Sequence, residues 1–203
     1  MRTVSSNSRR RLVLLGRLLA SYPEEYITSV KIEKLTGWSA SLVRRDLWQI
    51  QVKTGASNGY KVCDLQESIS NLLKFSQEKK KCCIVGLGHT GQALLDSSEL
   101  FDSPFTLVAG FDSNVNRTEV LRSVFPLHPT TQLEKVIKEQ NITYAILASL
   151  TSEAQELADR LVSCGIKGIV NYTPCVLSVP ENVYVENVCI LTALENLCAQ
   201  AEI

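Results

Sequence analysis

Hydrophobic residues follow two different patterns along the chain. In the first third they recur at helical spacing, as in Leu12, Leu15, Leu18 and Leu19, which share one face of a helix. Later, short apolar runs alternate with amphipathic segments; the runs cover 82–85, 105–112, 142–148, 168–172 and 183–188. Such alternation is typical of βαβ units and a parallel sheet. We therefore predict a helical domain over 1–76, an α/β domain over 77–188 and an amphipathic helix over 189–203.

The helical domain contains the signals of a helix-turn-helix. Thr28 or Ser29 can cap one short helix, Gly37 suits the turn that leaves it, and Ser39 can cap the next helix. The dipeptide Asn58-Gly59 then predicts a β-hairpin, which would form a wing. In such a domain the second helix enters the major groove of DNA. Its candidate DNA contacts are Ser39, Ser41, Arg44 and Arg45.

Charge is divided unequally between the two parts of the chain. Residues 1–77 hold 12 basic and 6 acidic side chains, whereas residues 78–203 hold 9 basic and 15 acidic ones, so a zero total hides a basic first third. This asymmetry favours a polyanionic partner, although a three-helix bundle with a solvated charged face would also fit. The further candidate DNA contacts are Arg9, Arg10 and Arg11, interpreted as a basic arm leading into the first helix, together with Lys53 and Lys61.

The α/β domain opens with a glycine-rich turn. The apolar run 82–85 is followed by Gly-Leu-Gly-His-Thr-Gly at 86–91 and then by a helical pattern, and the next strand ends at Asp112. This order matches a dinucleotide-binding fingerprint, in which the acid accepts hydrogen bonds from the adenosine ribose and disfavours a 2′-phosphate. It favours NAD(H) over NADP(H), although a tight glycine turn without a ligand would also fit. The candidate cofactor contacts are Gly86, Leu87, Gly88, His89, Thr90, Gly91, Asp112, Asn171, Thr173 and Pro174.

Composition narrows the class of protein. The seven cysteines are an odd number and lie mostly in apolar contexts, which favours reduced thiols in the cytoplasm over a disulfide framework. No apolar run approaches the roughly 20 residues of a membrane helix, no signal peptide is evident and no Cys/His spacing resembles a zinc site. We find no cluster of acid/base side chains that could serve a dehydrogenase, so a regulator is favoured over an enzyme.

Taken together, these stretches resemble the Rex family of bacterial redox-sensing transcriptional repressors over nearly the whole chain. The matching stretches are 11–19, 39–47, 59–60, 86–95, 109–112, 154–161, 165–174 and 179–180. The resemblance implies a winged helix-turn-helix domain, a Rossmann-type NAD(H)-binding domain and a C-terminal helix that is swapped within a homodimer. It also implies that NADH favours release from a near-palindromic operator, whereas NAD⁺ permits binding.

The sequence departs from the family pattern at three places. Gly55-Ala56 stands where the wing usually carries a Lys-Arg pair, Cys189 stands where an aspartate begins the swapped helix, and Ser97 stands near the place of its tyrosine partner. Arg11 matches the arginine of that group. Two alternatives therefore stay open: a Rex-like paralogue that binds NAD(H) and DNA without redox discrimination, and a small NAD(H)-dependent oxidoreductase.

Overall fold

The computed structural model describes residues 4–52, 59–73, 79–95 and 103–201. Lys53, Gly55, Ala56, Asn58 and Ser97 lie outside these ranges, and so do the expectations attached to them. The chain divides into two compact units, Met1–Ser76 and Gln77–Ile203.

The first unit is built from helices around one apolar core. Its elements are α1 (Ser6–Ala20), β1 (Tyr26–Ile27), α2 (Ser29–Thr36), α3 (Ala40–Gln49), β2 (Tyr60–Lys61) and α4 (Val62–Leu73). Leu12, Leu15 and Leu19 of α1 are buried against Leu65 and Ile69 of α4 in this core. The predicted spacing of leucines on α1 therefore gives its buried face, because side chains three and four residues apart lie on the same side of a helix.

The helix α1 begins earlier than the sequence suggested. Ser5 is the N-cap, and its Oγ accepts a hydrogen bond from the backbone N–H of Ser8 at 3.2 Å. Arg9, Arg10 and Arg11 are consequently residues of a helix, so the interpretation of them as an arm ahead of it was wrong. Ser5 is the residue in the sequence that indicates the earlier start, since a serine hydroxyl satisfies an otherwise unpaired N–H of the first turn.

The predicted helix, turn and second capped helix are present. Gly37 ends α2 with φ at 75°, and the Oγ of Ser39 accepts a hydrogen bond from the N–H of Leu42 at 3.3 Å. The strand β2 pairs antiparallel with β1, a partner ahead of α2 that the sequence did not suggest. The other arm of the predicted hairpin falls on residues outside the described ranges.

The second unit is a six-stranded parallel sheet with helices between its strands. Its elements are β3 (Lys80–Val85), α5 (His89–Leu95), β4 (Phe105–Asp112), α6 (Val115–Val120), β5 (Leu127–Pro129), a 3₁₀ turn (Thr130–Gln132), α7 (Leu133–Gln140), β6 (Tyr144–Leu147), α8 (Thr151–Ser163), β7 (Gly168–Asn171), β8 (Tyr184–Asn187) and α9 (Ile190–Ala201). The strand order is β5-β4-β3-β6-β7-β8, and every pair is parallel. This is the order of a Rossmann sheet, so the predicted Rossmann-type fold of this unit is confirmed.

The strand order reverses between β3 and β6, which places a crevice beyond their carboxyl ends. The backbone continues the pairing there, since Gly86 donates to the carbonyl of Phe111 and Ala148 donates to that of Val85, each at 2.8 Å. Beneath it lies an apolar core that includes Val85, Phe111 and Leu147, none of them accessible to solvent. The short strand β5 was missed in the sequence because its three residues, Leu-His-Pro, show no apolar run.

The helix α9 has the predicted amphipathic pattern, but none of its residues is buried. Its apolar residues Ile190, Leu191, Leu194 and Leu197 are each more than half exposed. No helix in the described ranges is long and apolar enough to cross a membrane.

Candidate functional site

In the turn after β3, two glycines lie so close to neighbouring backbone that a side chain at either position would clash. Gly86 has φ at 96°, and a Cβ there would lie 2.6 Å from the backbone of Ala148, the residue that follows the neighbouring strand β6. A Cβ on Gly91 would lie 1.9 Å from the carbonyl oxygen of Gly86, so α5 packs directly onto the turn. At Gly88, by contrast, a Cβ would meet nothing within 4 Å. The turn is therefore tight on its protein side and open above Gly88, the position at which a dinucleotide fingerprint admits the pyrophosphate.

A cleft of about 310 Å³ lies above this turn. It is lined by the glycine turn, by residues that follow β4 and β6, and by the start of α8. The predicted residues Gly86, Gly88, His89, Thr90 and Asp112 all border it, and so does the segment 148–150 after β6, which the strand pattern also places at this edge of the sheet. The sequence did not point to Arg117 or Glu153, which line it as well. Arg117 could have been found from its position, five residues after the acid that ends β4.

Asp112 is held by the protein from three sides. Its Oδ2 accepts the N–H of Leu87 at 2.6 Å and faces Nη1 of Arg117 at 3.4 Å, and its Oδ1 accepts the N–H of Asn114 at 2.7 Å. The residue is only 2% exposed. A carboxylate can accept about four hydrogen bonds, so Asp112 fixes the glycine turn to β4 and keeps capacity for a ribose hydroxyl. Leu87 contributes to the site through its backbone, because its side chain is fully buried.

Asn171 and Thr173 use their polar groups within the protein. The Nδ2 of Asn171 donates to the carbonyl of Cys175 at 2.8 Å and to Oδ1 of Asn187 at 2.9 Å, while its Oδ1 accepts from the N–H and the Oγ1 of Thr173. Asn171 thereby shapes the loop after β7 and joins it to β8. Neither residue borders the cleft, nor does the exposed Pro174. Cofactor contacts at these three residues stay a prediction.

In the first unit, Arg11 is committed to an internal ion pair. Its Nε lies 2.6 Å from Oδ2 of Asp46 and its Nη2 lies 3.0 Å from Oδ1, a bidentate geometry, and the Oγ of Ser8 donates to the same Oδ1 at 2.9 Å. The Asp46 side chain is 5% exposed. The hydrogen bond with Asp46 raises the pKa of Arg11, so the guanidinium stays charged. Arg11 thus joins α1 to α3, and its predicted contact with DNA is not supported by this geometry.

The exposed face of α3 carries the arginine pair. Arg44 donates from Nη1 to the Oγ of Ser29 at 3.0 Å, which ties α3 to the start of α2. Arg45 is exposed and makes no hydrogen bond or ion pair with the described part of the chain. Ser39 and Ser41 lie at the start of the helix with their hydroxyls 3.1 Å apart. The sequence predicted this face, but it could not show that Arg44 is hydrogen-bonded to α2 whereas Arg45 is free to contact a ligand.

Three further predicted cations, Arg9, Arg10 and Lys61, lie on the surface of the first unit. Arg9 and Arg10 are exposed on α1. Lys61 lies 3.7 Å from Glu25, and the charges of Cys63 and Glu25 raise its pKa. Both side chains of this pair are solvated, so the pair holds Lys61 only weakly.

All seven cysteines are free thiols; Cys82 and Cys83 are buried, as expected of strand residues, whereas Cys63 and Cys198 are exposed. Burial raises the pKa of Cys82 to about 12 and raises that of Cys83 as well, so both strand cysteines stay protonated. Cys189 differs, because a hydrogen bond from the side chain of Thr192 at the start of α9 lowers its pKa. No cluster of three or more metal-ligating side chains occurs in the described ranges.

Known proteins match the chain over most of its length. A family model described as a CoA binding domain matches residues 77–175. The redox-sensing transcriptional repressor Rex of Oenococcus oeni is 33% identical over 84% of this chain and 79% of its own length. The protein of the same name from Limosilactobacillus reuteri is 30% identical over 86% of this chain and 81% of its own.

Solved structures give the same result. The crystal structure of RSP, a Rex-family repressor, has a TM-score of 0.84 and 28% identity over 99% of this chain and 95% of its own. RSP in complex with beta-NAD+ and operator DNA has a TM-score of 0.85 at 28% identity, covering 99% of this chain and 94% of that one. From the sequence relatives and the shared fold, the chain belongs to the family of redox-sensing transcriptional repressors named Rex.

Proposed function

We propose that this protein is a transcriptional repressor that binds operator DNA as a homodimer, binds NAD(H) in the cleft of its second unit, and is released from DNA by NADH. The observation that carries the proposal is the cleft itself, in which the open glycine turn and Asp112 meet at the switch point of a Rossmann sheet. We infer that the protein acts in the cytoplasm, where its thiols stay reduced and its operator is found.

The cleft supports NAD(H) through two separate features. The space above Gly88 admits a pyrophosphate to the backbone, and Asp112 retains acceptor capacity for the ribose. The related repressor RSP was crystallised with beta-NADH, at 29% identity and a TM-score of 0.84 to this chain.

The exposed face of α3 supports DNA binding. Arg45 is available at the surface, Arg44 is held beside it by Ser29, and the serines lie at the start of the helix. A recognition helix presents its N-terminal part to base edges, and arginine is the commonest partner of guanine there. RSP has also been crystallised with operator DNA, and its fold matches this chain over nearly its full length.

The helix α9 supports a homodimer. Four apolar side chains on a helix of 12 residues are exposed, and water contact with such a stripe is unfavourable. A two-fold dimer would bury the stripe and place two α3 helices on two half-sites. Removing residues 190–203 should convert the dimer to a monomer in sedimentation equilibrium, and a truncated protein that sediments as a dimer would contradict this part of the proposal.

Control by NADH follows from linkage. A ligand shifts an equilibrium between two forms only by the difference in its affinity for them, so NADH must bind the DNA-releasing form more tightly than it binds the DNA-bound form, and NAD⁺ must show less of this preference. Raising the NADH/NAD⁺ ratio at constant total nucleotide should therefore lower the fraction of operator DNA bound, as measured by fluorescence anisotropy. Equal binding at all ratios would contradict the redox response and leave the DNA and cofactor sites in place.

Equal operator binding at all ratios is the behaviour of a paralogue that does not distinguish NADH from NAD⁺. The observation that favours this alternative is Cys189. A thiol stands at the start of α9 where the family pattern has a carboxylate. The oxidoreductase left open by the sequence is disfavoured, because the relatives are named as repressors.

A further inference from the structure

The helix α3 exposes a tryptophan in line with its arginines. Ser41, Arg44, Arg45 and Trp48 are spaced by three, one and three residues, so they share one face. The opposite face, which includes Asp46 and Leu47, is buried. Trp48 is 58% exposed, which is unusual for so large an apolar side chain. The other tryptophan, Trp38, packs against the core instead.

A cavity of about 370 Å³ opens beside this tryptophan. Its walls come from Leu47, Trp48, Val52 and Tyr60, and Arg44 and Arg45 complete the lining. It is therefore an apolar hollow bordered by two cations, on the surface that the proposed function turns towards DNA.

This combination of chemistry matches one feature of duplex DNA. In the major groove, thymine presents a 5-methyl group, the only apolar substituent among the four base edges, and phosphates flank it on both strands. An apolar hollow suits the methyl group, and the arginines suit the phosphates or a neighbouring guanine. A peptide ligand would gain less from the arginine rim and from the net charge of +6 carried by residues 1–77.

We propose that Trp48, with Val52 and Tyr60, receives the 5-methyl group of a thymine in each operator half-site and so specifies a thymine at that position. This inference rests on the proposed function and assigns it a specificity determinant. Trp48 lies near the C-terminal end of α3, so the selected thymine lies away from the bases that Ser39 and Ser41 approach.

The test is a methyl deletion on the DNA. A duplex selected by the full-length protein from a random pool, in the presence of NAD⁺, is resynthesised with each thymine replaced in turn by uracil, which removes only the methyl group. At one position per half-site the dissociation constant should rise about fourfold, the effect of one buried carbon. At the other thymines the dissociation constant should stay within about twofold, because their methyl groups make no contact with the hollow.

A variant identifies the residue that detects the methyl group. Trp48→Ser should bind the unmodified duplex more weakly and bind the thymine and uracil duplexes equally, whereas Trp38→Phe should keep the wild-type difference. Trp48→Phe keeps an aromatic surface and should retain part of the difference, which covers the case in which the serine variant binds too weakly to measure. Tryptophan fluorescence of the Trp38→Phe protein, which reports Trp48 alone, should change when operator DNA is added.

Several results would overturn the inference. One is a wild-type protein that binds its selected duplex but shows no uracil effect at any thymine, which leaves the proposed function standing. Another is a uracil effect that persists unchanged in Trp48→Ser. A wild-type protein that selects no duplex from the pool overturns both the inference and the proposed function.

Discussion

The two units place their candidate functional groups in opposite ways. In the second unit the site is made largely of backbone: a glycine turn and strand ends, held by a buried carboxylate that the protein contacts from three sides. In the first unit the site is made of exposed side chains on one helix face, next to buried polar groups that fix the helix. The fold alone fixes the geometry of a site made of backbone. In a site made of side chains, the residues available to a ligand depend on which side chains already form contacts within the protein.

This difference predicts that the first unit is most sensitive at a residue that never contacts DNA. Asp46→Ala should destabilise that unit by about 3–5 kcal/mol, because Arg11 and Ser8 would lose their buried partner. DNA binding should weaken as well, since α3 loses its anchor to α1. Urea unfolding of the full chain measures the effect, and Asp64→Ala, at an exposed position of the same unit, is the control. Equal stabilities of the two variants would show that the ion pair is dispensable.

The glycine turn allows the same comparison within the second unit. Gly91→Ala should destabilise it by roughly 1–3 kcal/mol, because the new Cβ would meet the backbone of Gly86. Gly88→Ala should leave stability within about 0.5 kcal/mol, since nothing within 4 Å opposes its Cβ. It should nevertheless weaken NADH binding about tenfold or more, or roughly 1.4 kcal/mol, by filling the space for the pyrophosphate. Thermal unfolding and isothermal titration separate the two effects, and unchanged NADH affinity in Gly88→Ala would remove the pyrophosphate from this position.

Replacing Arg44 and replacing Arg45 should have different effects, because only Arg44 is hydrogen-bonded to Ser29. Arg45→Ala should weaken operator binding by about 1–3 kcal/mol if it loses a bidentate base contact, with no change in unfolding. Arg44→Ala should in addition lose about 1 kcal/mol of stability, because Ser29 loses a hydrogen bond. Ser29→Ala is the matched control: it removes the same hydrogen bond and leaves both arginines in place. If Arg44→Ala and Arg45→Ala have indistinguishable stabilities, the brace between α2 and α3 contributes nothing measurable.

The sequence predicted the elements whose signals are local. Periodic leucines located the buried face of α1, and alternating apolar runs together with Gly86, Gly88 and Gly91 located the sheet and its turn. These features depend on spacing along the chain, which a single sequence displays in full.

The sequence could not predict the long-range pairings. Arg11 and Asp46 are 35 residues apart, and nothing local distinguishes that arginine from Arg9 or Arg45. The internal use of Asn171 by Asn187 and Cys175 was hidden for the same reason. A polar side chain in the sequence therefore does not show whether its partner is a ligand or another part of the protein, because a buried polar group must find a partner and the protein often supplies it.

The central claim is that occupation of the cleft in the second unit controls DNA binding by the first. The most direct measurement is operator binding by fluorescence anisotropy with increasing NADH, for the wild-type protein and for Gly88→Ala side by side. The account predicts that NADH releases the wild-type protein from DNA and that the variant binds the operator equally well but stays bound at the same NADH concentrations. Release of both proteins at the same NADH concentration, or of neither, would contradict it.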